Sequence, residues 1–199
     1  MNDMMRPRLD TRTNRAAEGL PRWRWTTAKL VRLTELGAFT AEDRFELIGG
    51  EIVPMSPVVR RHEVVAEDLE RYLRKRENAG VHVVAERQLN FADDTYTNPD
   101  ILVRPAHIKT PDIRGDTVLL VVEVAATSLE YDLMTKAPLY ARHGVREYWV
   151  VNAATLATTV HLAPGPDGYA VEREAAASDT LTPTLAPELA VRLAELDVD

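Results

Sequence analysis

The sequence predicts an α/β fold, a mixed β-sheet flanked by helices with extra β-hairpins before and after the core, on three observations. Residues 117 to 124, TVLLVVEV, are apolar on both faces, as a strand in the middle of a sheet must be. Segments with helical spacing, 60 to 78 and 130 to 143, alternate with short β-type runs, which is the order that lays helices on a sheet. Gly49-Gly50 and the PGPDG stretch at 164 to 168 each join two short runs, as hairpin turns do.

The elements follow in chain order. Residues 1 to 22 have no apolar periodicity, contain Pro7 and Pro21, and are expected to form a flexible Arg-rich N-terminal arm ahead of one domain spanning 23 to 199. Thr26 or Thr27 caps a short helix through Leu30, Leu33 and Leu36, which Gly37 ends. FELIGGEIVPM, 45 to 55, is the first hairpin. From Arg60 to Asn78, Val65, Leu69, Tyr72 and Leu73 recur at helical spacing, and Gly80 stops the run. VHVVAERQLNF, 81 to 91, reads as one strand, ADDTYTNP as a loop, and DILVR, 100 to 104, as a short strand. Residues 130 to 143 form a helix that carries the chain from the buried strand to a parallel one, REYWVVN, by a crossover expected to be right-handed. ATTVHL and YAVERE make the second hairpin, and Pro183 and Pro187 bracket a closing loop before LAVRLAEL.

Composition narrows the chemistry. The 199 residues contain no cysteine, which excludes disulfides, thiolate zinc sites, iron-sulfur clusters and a cysteine nucleophile. No stretch approaches the ~18 apolar residues of a membrane span, and the N-terminus lacks the apolar core of a secretory signal. A cytoplasmic protein without membrane contact is expected. The net charge of -7 argues at first sight against nucleic acid. The charge is uneven, however: residues 1 to 99 carry 16 basic and 16 acidic side chains, and the later residues 8 and 15. Arginines of the arm and the run Arg60, Arg61, Arg71, Arg74, Lys75 and Arg76 are either a tail with a solvated helix face or a pair of phosphate-contacting patches.

Glu123 is the outstanding residue, because it interrupts an aliphatic strand and an unpaired buried carboxylate is costly. Asp100 opens a strand directly after Asn98-Pro99. If the two strands are neighbours, the carboxylates meet at one sheet end as hard oxygen ligands suited to magnesium or manganese rather than zinc, or each pairs with an arginine or caps a loop. Lys136 shares a helix face with Asp132 and Tyr140 by i,i+4 spacing, either as a simple ion pair with Asp132 or as a lysine held near a metal. His62 at the start of the long helix is a proton shuttle or a cap. Glu46 interrupts FELI and is a third ligand or the exposed face of an alternating strand.

Together, FELIGGEIVPMSP, His62, NPDILV, VLLVVEV, the D-x-x-x-K-x-x-x-Y of 132 to 140 and GVREYWVVN resemble the Uma-type restriction endonuclease family of the PD-(D/E)XK nuclease superfamily, from about residue 26 to the C-terminus. The resemblance implies a restriction-endonuclease-like fold and a metal-dependent endonuclease acting on DNA. It implies Asp100 and Glu123 as ligands of Mg²⁺ or Mn²⁺ together with the Val124 backbone carbonyl. The superfamily lysine normally stands two residues after the glutamate, where this chain has Ala125, and Lys136 matches a helix lysine that substitutes for it, with Tyr140 and Asp132 as companions. Glu46 and His62 match further polar positions, and a homodimer is expected. Two other classes fit the same residues: a nucleic-acid-binding or assembly module of this fold with little or no cleavage, and a metal-dependent hydrolase of a small phosphorylated substrate.

Overall fold

The computed structural model describes residues 23–40, 42–57 and 59–198. The arm expected over residues 1 to 22 lies outside the described residues. Among those described, the strands form a six-stranded sheet, a four-stranded sheet and a two-stranded pair. Among the described residues no helix is long and apolar enough to cross a membrane.

Helix α1, Thr27–Glu35, is capped by Thr26, whose side chain accepts from the Lys29 N–H, and Gly37 follows its end at a φ of +78°. Strands β1, Phe45–Ile48, and β2, Glu51–Pro54, pair antiparallel across Gly49-Gly50, both in the left-handed region. Helix α2, Arg60–Arg74, is shorter than its sequence pattern. Its last buried apolar residue is Leu73, and beyond it Glu77 accepts from the Val83 N–H while Asn78 caps the Gly80 N–H. With no further apolar side chain to bury, the chain turns before Gly80.

The segment 81 to 91 is two strands in two different sheets, which corrects the single strand expected. Strand β3, Val81–Ala85, pairs with β6, Ile101–Pro105, whereas β4, Leu89–Ala92, pairs with β5, Thr95–Thr97, inside the stretch expected to be a loop. The break falls at Glu86, whose φ of +45° lets the chain leave one sheet for the other. Strand β7, Leu120–Ala125, is buried throughout and lies between β6, antiparallel, and β8, Glu147–Asn152, parallel. Strands β9, Thr158–Gly165, and β10, Gly168–Ala175, complete the larger sheet in the order β10-β9-β8-β7-β6-β3. The smaller sheet has the order β2-β1-β5-β4, and β11, Thr180–Leu181, pairs with β12, Val191–Arg192.

Between β7 and β8 the expected helix is present with an irregularity. A turn of α3, Leu129–Tyr131, passes into a π-turn over Asp132–Lys136 and then into α4, Ala137–Arg142. Each face of the large sheet carries a core. Val65, Leu69 and Leu73 of α2 pack with Val83, Ile101, Val122 and Val124 on one side, and Tyr140 of α4 packs with Leu102, Val121, Ala125 and Tyr148 on the other.

Candidate active site

Strand alternation decides where Glu123 points. Leu120, Val122 and Val124 belong to the core under α2, whereas Val121 and Ala125 belong to the core under α4, so Glu123 shares the α4 face. It is 4% exposed there. Its Oε1 accepts from the Lys136 ammonium at 3.0 Å and from the Tyr140 hydroxyl at 2.7 Å, and Tyr140 in turn lies 3.0 Å from the Thr97 hydroxyl.

Asp100 stands at the adjoining strand end, just before β6. Its Oδ2 accepts from the Val124 N–H at 2.7 Å, and its Oδ1 lies 3.1 Å from Nε2 of His62 in the first turn of α2. The antiparallel pairing of Ile101 with Val122 brings these two carboxylates together, as the sequence argument required. The pairing with an arginine considered for each is not what forms: Glu123 meets a lysine and a tyrosine, Asp100 a histidine and a backbone N–H.

Glu46 is 1% exposed, which rules out the exposed-face reading of FELI. Its Oε1 lies 3.1 Å from Lys136 Nζ and accepts from the Asn98 N–H, and its Oε2 accepts from the Tyr131 hydroxyl at 3.3 Å. Asp132, also buried, lies 3.6 Å from Lys136 and accepts from the Ser128 hydroxyl at 2.6 Å. The π-turn explains why Tyr131 joins this group. In an α-helix a residue five before Lys136 is turned roughly 140° away, but the wider turn returns it to the lysine's face, and its ring lies 5.6 Å from Nζ. An α-helical reading of the sequence therefore finds Asp132 and Tyr140 and misses Tyr131.

The charges are not balanced. Glu46, Asp100, Glu123 and Asp132 face one cavity of about 270 Å³ together with Lys136, His62 and Arg44. Burial alone pulls the lysine's pKa down, but Glu123, Glu46 and Asp132 outweigh it and hold Lys136 protonated well above the ordinary range. Burial pushes Glu123 well above the usual carboxylate range, against Lys136, and the neighbouring carboxylates add to the rise. Burial likewise raises Asp132. The hydrogen bond to Asp100 raises His62 despite desolvation.

An excess of buried carboxylates over cations, with hard oxygens at two adjacent strand ends, fits a divalent ion. Among the described residues no three or more His, Asp or Glu side chains are grouped to hold a metal. An ion at Asp100 and Glu123 would be completed by a backbone carbonyl such as that of Val124, which lines the same cavity, and by water. Magnesium accepts such a set.

The sequence candidates thus assemble: Glu46, Asp100, Glu123, Val124, His62 and Lys136 line one cavity, and Tyr140, buried behind it, donates to Glu123. The helix arginines do not join them. Arg61 donates to the carbonyls of Ala153 and Val198, Arg71 pairs with Asp68, Arg74 with Glu70, and Arg76 lies over the Tyr72 ring. Arg61 is half-buried, and Arg71, Arg74 and Arg76 are exposed. Tyr131, Ser128 and Thr97 belong to the site without a sequence signal that singled them out.

A family model described as Uma2, "Putative restriction endonuclease", matches residues 28–198. Among solved structures, "a putative nuclease belonging to DUF820 from Anabaena variabilis" is similar in fold, with a TM-score of 0.65 at 15% identity over 82% of this chain and 95% of that one. No curated protein matches the chain in sequence.

Proposed function

The chain belongs to the Uma2 family, and from that premise we propose that it is a metal-dependent endonuclease hydrolysing phosphodiester bonds of DNA. The observation that carries this reading is the meeting of Asp100 and Glu123 at neighbouring strand ends, with Lys136 on the glutamate's oxygen, in a cavity whose carboxylates outnumber its cations.

Asp100 and Glu123, with the Val124 carbonyl, would hold Mg²⁺ or Mn²⁺. A divalent ion there would polarise a phosphoryl oxygen and acidify a water for in-line attack. The chain's own groups have distinct work. Lys136, kept protonated by three carboxylates, is a donor and not a base: its ammonium orients the attacking water or meets charge developing on the phosphate. Glu46 and Asp132 fix that ammonium, and the Tyr140 hydroxyl keeps its proton directed at Glu123 Oε1. His62 holds Asp100 by its Nε2 and is poised to take or give a proton near neutral pH. Cutting both strands of a duplex would take two copies, so a homodimer is part of the proposal and is checked by light scattering of the purified protein.

The test is incubation of supercoiled plasmid with the protein and Mg²⁺ or Mn²⁺. Cleavage is expected, suppressed by chelator and reduced at least about a hundredfold in Glu123→Ala, the scale of losing a principal electrostatic contact. Cleavage unchanged in Glu123→Ala would sink the assignment. A second reading, hydrolysis of a small phosphorylated molecule, is favoured by Glu63, Glu67, Glu70 and Glu86 beside the cavity, which repel a long polyanion. Turnover of bis(p-nitrophenyl) phosphate without plasmid cleavage would favour it.

A further inference from the structure

One cation at the site is unaccounted for by this chemistry. Arg44 immediately precedes β1, and its carbonyl accepts from the Met55 N–H, which extends the β1–β2 ladder by one step. Strand alternation then puts its side chain on the same face as Glu46, two residues on. It lines the cavity with Glu46, His62, Asp100 and Glu123 but stands exposed at the mouth. Among the described residues no hydrogen bond or ion pair engages its guanidinium, whereas Lys136 faces three carboxylates and the nearby helix arginines are held by carboxylates, carbonyls or a ring.

Two grooves lead away from this arginine. One runs toward α2 and is walled by Glu63, Glu67 and Glu86, and by Glu70, which Arg74 pairs. The other, of about 310 Å³, crosses the smaller sheet between Phe39, Thr40, Phe45, Gln88, Tyr96 and Asn98, with Asp43 and Glu86 as its acidic members. Arg44 and Met55 border both this groove and the cavity. An anionic chain leaving the cavity meets a wall of like charge in the first direction. In the second it meets the Gln88 and Asn98 amides, which donate to Asn90 and to the Phe45 carbonyl and keep their oxygens free of those bonds, and the half-buried Phe39 and Phe45 rings, the kinds of group that read and stack an unpaired base.

We propose that Arg44 binds a phosphate of the substrate at the cavity mouth and that the adjoining nucleotide lies in the groove over the smaller sheet, between Phe39, Phe45, Gln88 and Asn98. This rests on the nuclease reading and adds the direction in which the substrate runs. A guanidinium free of internal partners is available for bidentate phosphate contact, which lysine reproduces in charge but not in geometry.

The test measures binding of a fluorescein-labelled DNA oligonucleotide by anisotropy across a salt series, and hydrolysis of bis(p-nitrophenyl) phosphate, in wild type, Arg44→Gln, Arg44→Lys, Gln88→Ala and Glu67→Gln. Melting curves confirm that each variant folds. Arg44→Gln should weaken DNA binding about tenfold or more and lower the salt slope by about one. Arg44→Lys should recover most of the slope and part of the affinity. Gln88→Ala should weaken DNA binding, and Glu67→Gln should not weaken it. If wild type binds or cuts DNA and Arg44→Gln is indistinguishable from it, the arginine assignment falls and the nuclease reading stands. If wild type ignores DNA but hydrolyses the small diester with a KM that rises in Arg44→Gln, the nuclease reading and the nucleotide groove fall while Arg44 remains a phosphate anchor. Activity on neither overturns both, and loss of DNA binding in Glu67→Gln but not in Gln88→Ala reverses the direction.

Discussion

At the scale of single residues, the cost of burying charge made part of the site legible. Glu123 and Asp100 were readable because a carboxylate in or beside an apolar strand needs a reason. The same argument does not say which reason. Glu147 opens another buried strand and is 1% exposed, yet it accepts from the Trp149 indole N–H at 2.7 Å and from the Thr184 N–H at 2.7 Å and does not line the cavity. Its partners are a residue two positions on and a loop 37 residues away, and the second cannot be read from spacing. Glu147→Ala should therefore destabilise by about 1–3 kcal/mol, the cost of leaving such donors unpaired, with no loss of activity in the folded fraction. Urea denaturation followed by far-UV circular dichroism, alongside the cleavage assay, measures both. Tyr131, Thr97 and Ser128 were illegible for a simpler reason: a hydroxyl finds a partner in many settings, so nothing in the sequence marks one that serves the site, and only the fold shows what they touch.

Elements were legible where local pattern and tertiary packing agree. The Gly49-Gly50 hairpin, the buried strand β7 and its parallel neighbour β8 follow from turn chemistry and hydrophobic pattern alone. The division of 81 to 91 between two sheets was not legible, since a chain that changes sheets at Glu86 keeps a continuous apolar pattern. The π-turn at Asp132–Lys136 is a second such case. A turn of this kind holds one residue more than an α-turn, and Met134, at 72% exposure, is the residue that packs least there. Deleting Met134 should straighten the helix and leave Tyr131 four residues before Lys136 and Asp132 three, both still on the lysine's face. Cleavage should persist in this variant. Inserting an alanine after Met134 should instead turn Tyr131 and Asp132 away from Lys136 by about 100° and abolish cleavage while circular dichroism is retained. Activity that survives the insertion, or is lost in the deletion with the fold intact, would show that the lysine's surroundings are set by something other than this turn.

For the whole molecule, the mixed sheet between helices was predictable, and the balance of ionisable groups across it was not. A net charge of -7 is spread over a protein in which the buried carboxylates Glu46, Glu123 and Asp132 line one cavity, so net charge described the surface and not the site. A buried histidine, His161, and a half-buried one, His62, give stability opposite pH dependences. His161 is 2% exposed and stacked on Tyr148 at 5.3 Å, and burial lowers its pKa against the pull of Glu172. Its neutral form is favoured on folding, so stability should fall as pH drops below the unfolded value of about 6.5. His62 is raised by its bond to Asp100, so its contribution is complete below about 6.5 and is lost as pH rises through its folded pKa. Melting temperatures of His161→Phe, which keeps a ring against Tyr148, should decline less than wild type between pH 7 and pH 5 (roughly the window below the free histidine value). An unchanged acid limb would assign the decline to other groups.

The central claim is that Asp100 and Glu123 together serve a divalent ion. It is tested most directly by a crystal grown with Mn²⁺ and measured for anomalous scattering. The account predicts a manganese peak bound by a carboxylate oxygen of each of these two residues and by the Val124 carbonyl, with Lys136 still on Glu123. A cavity without such a peak at saturating Mn²⁺, or an ion held by other residues with Asp100 and Glu123 uninvolved, would contradict it.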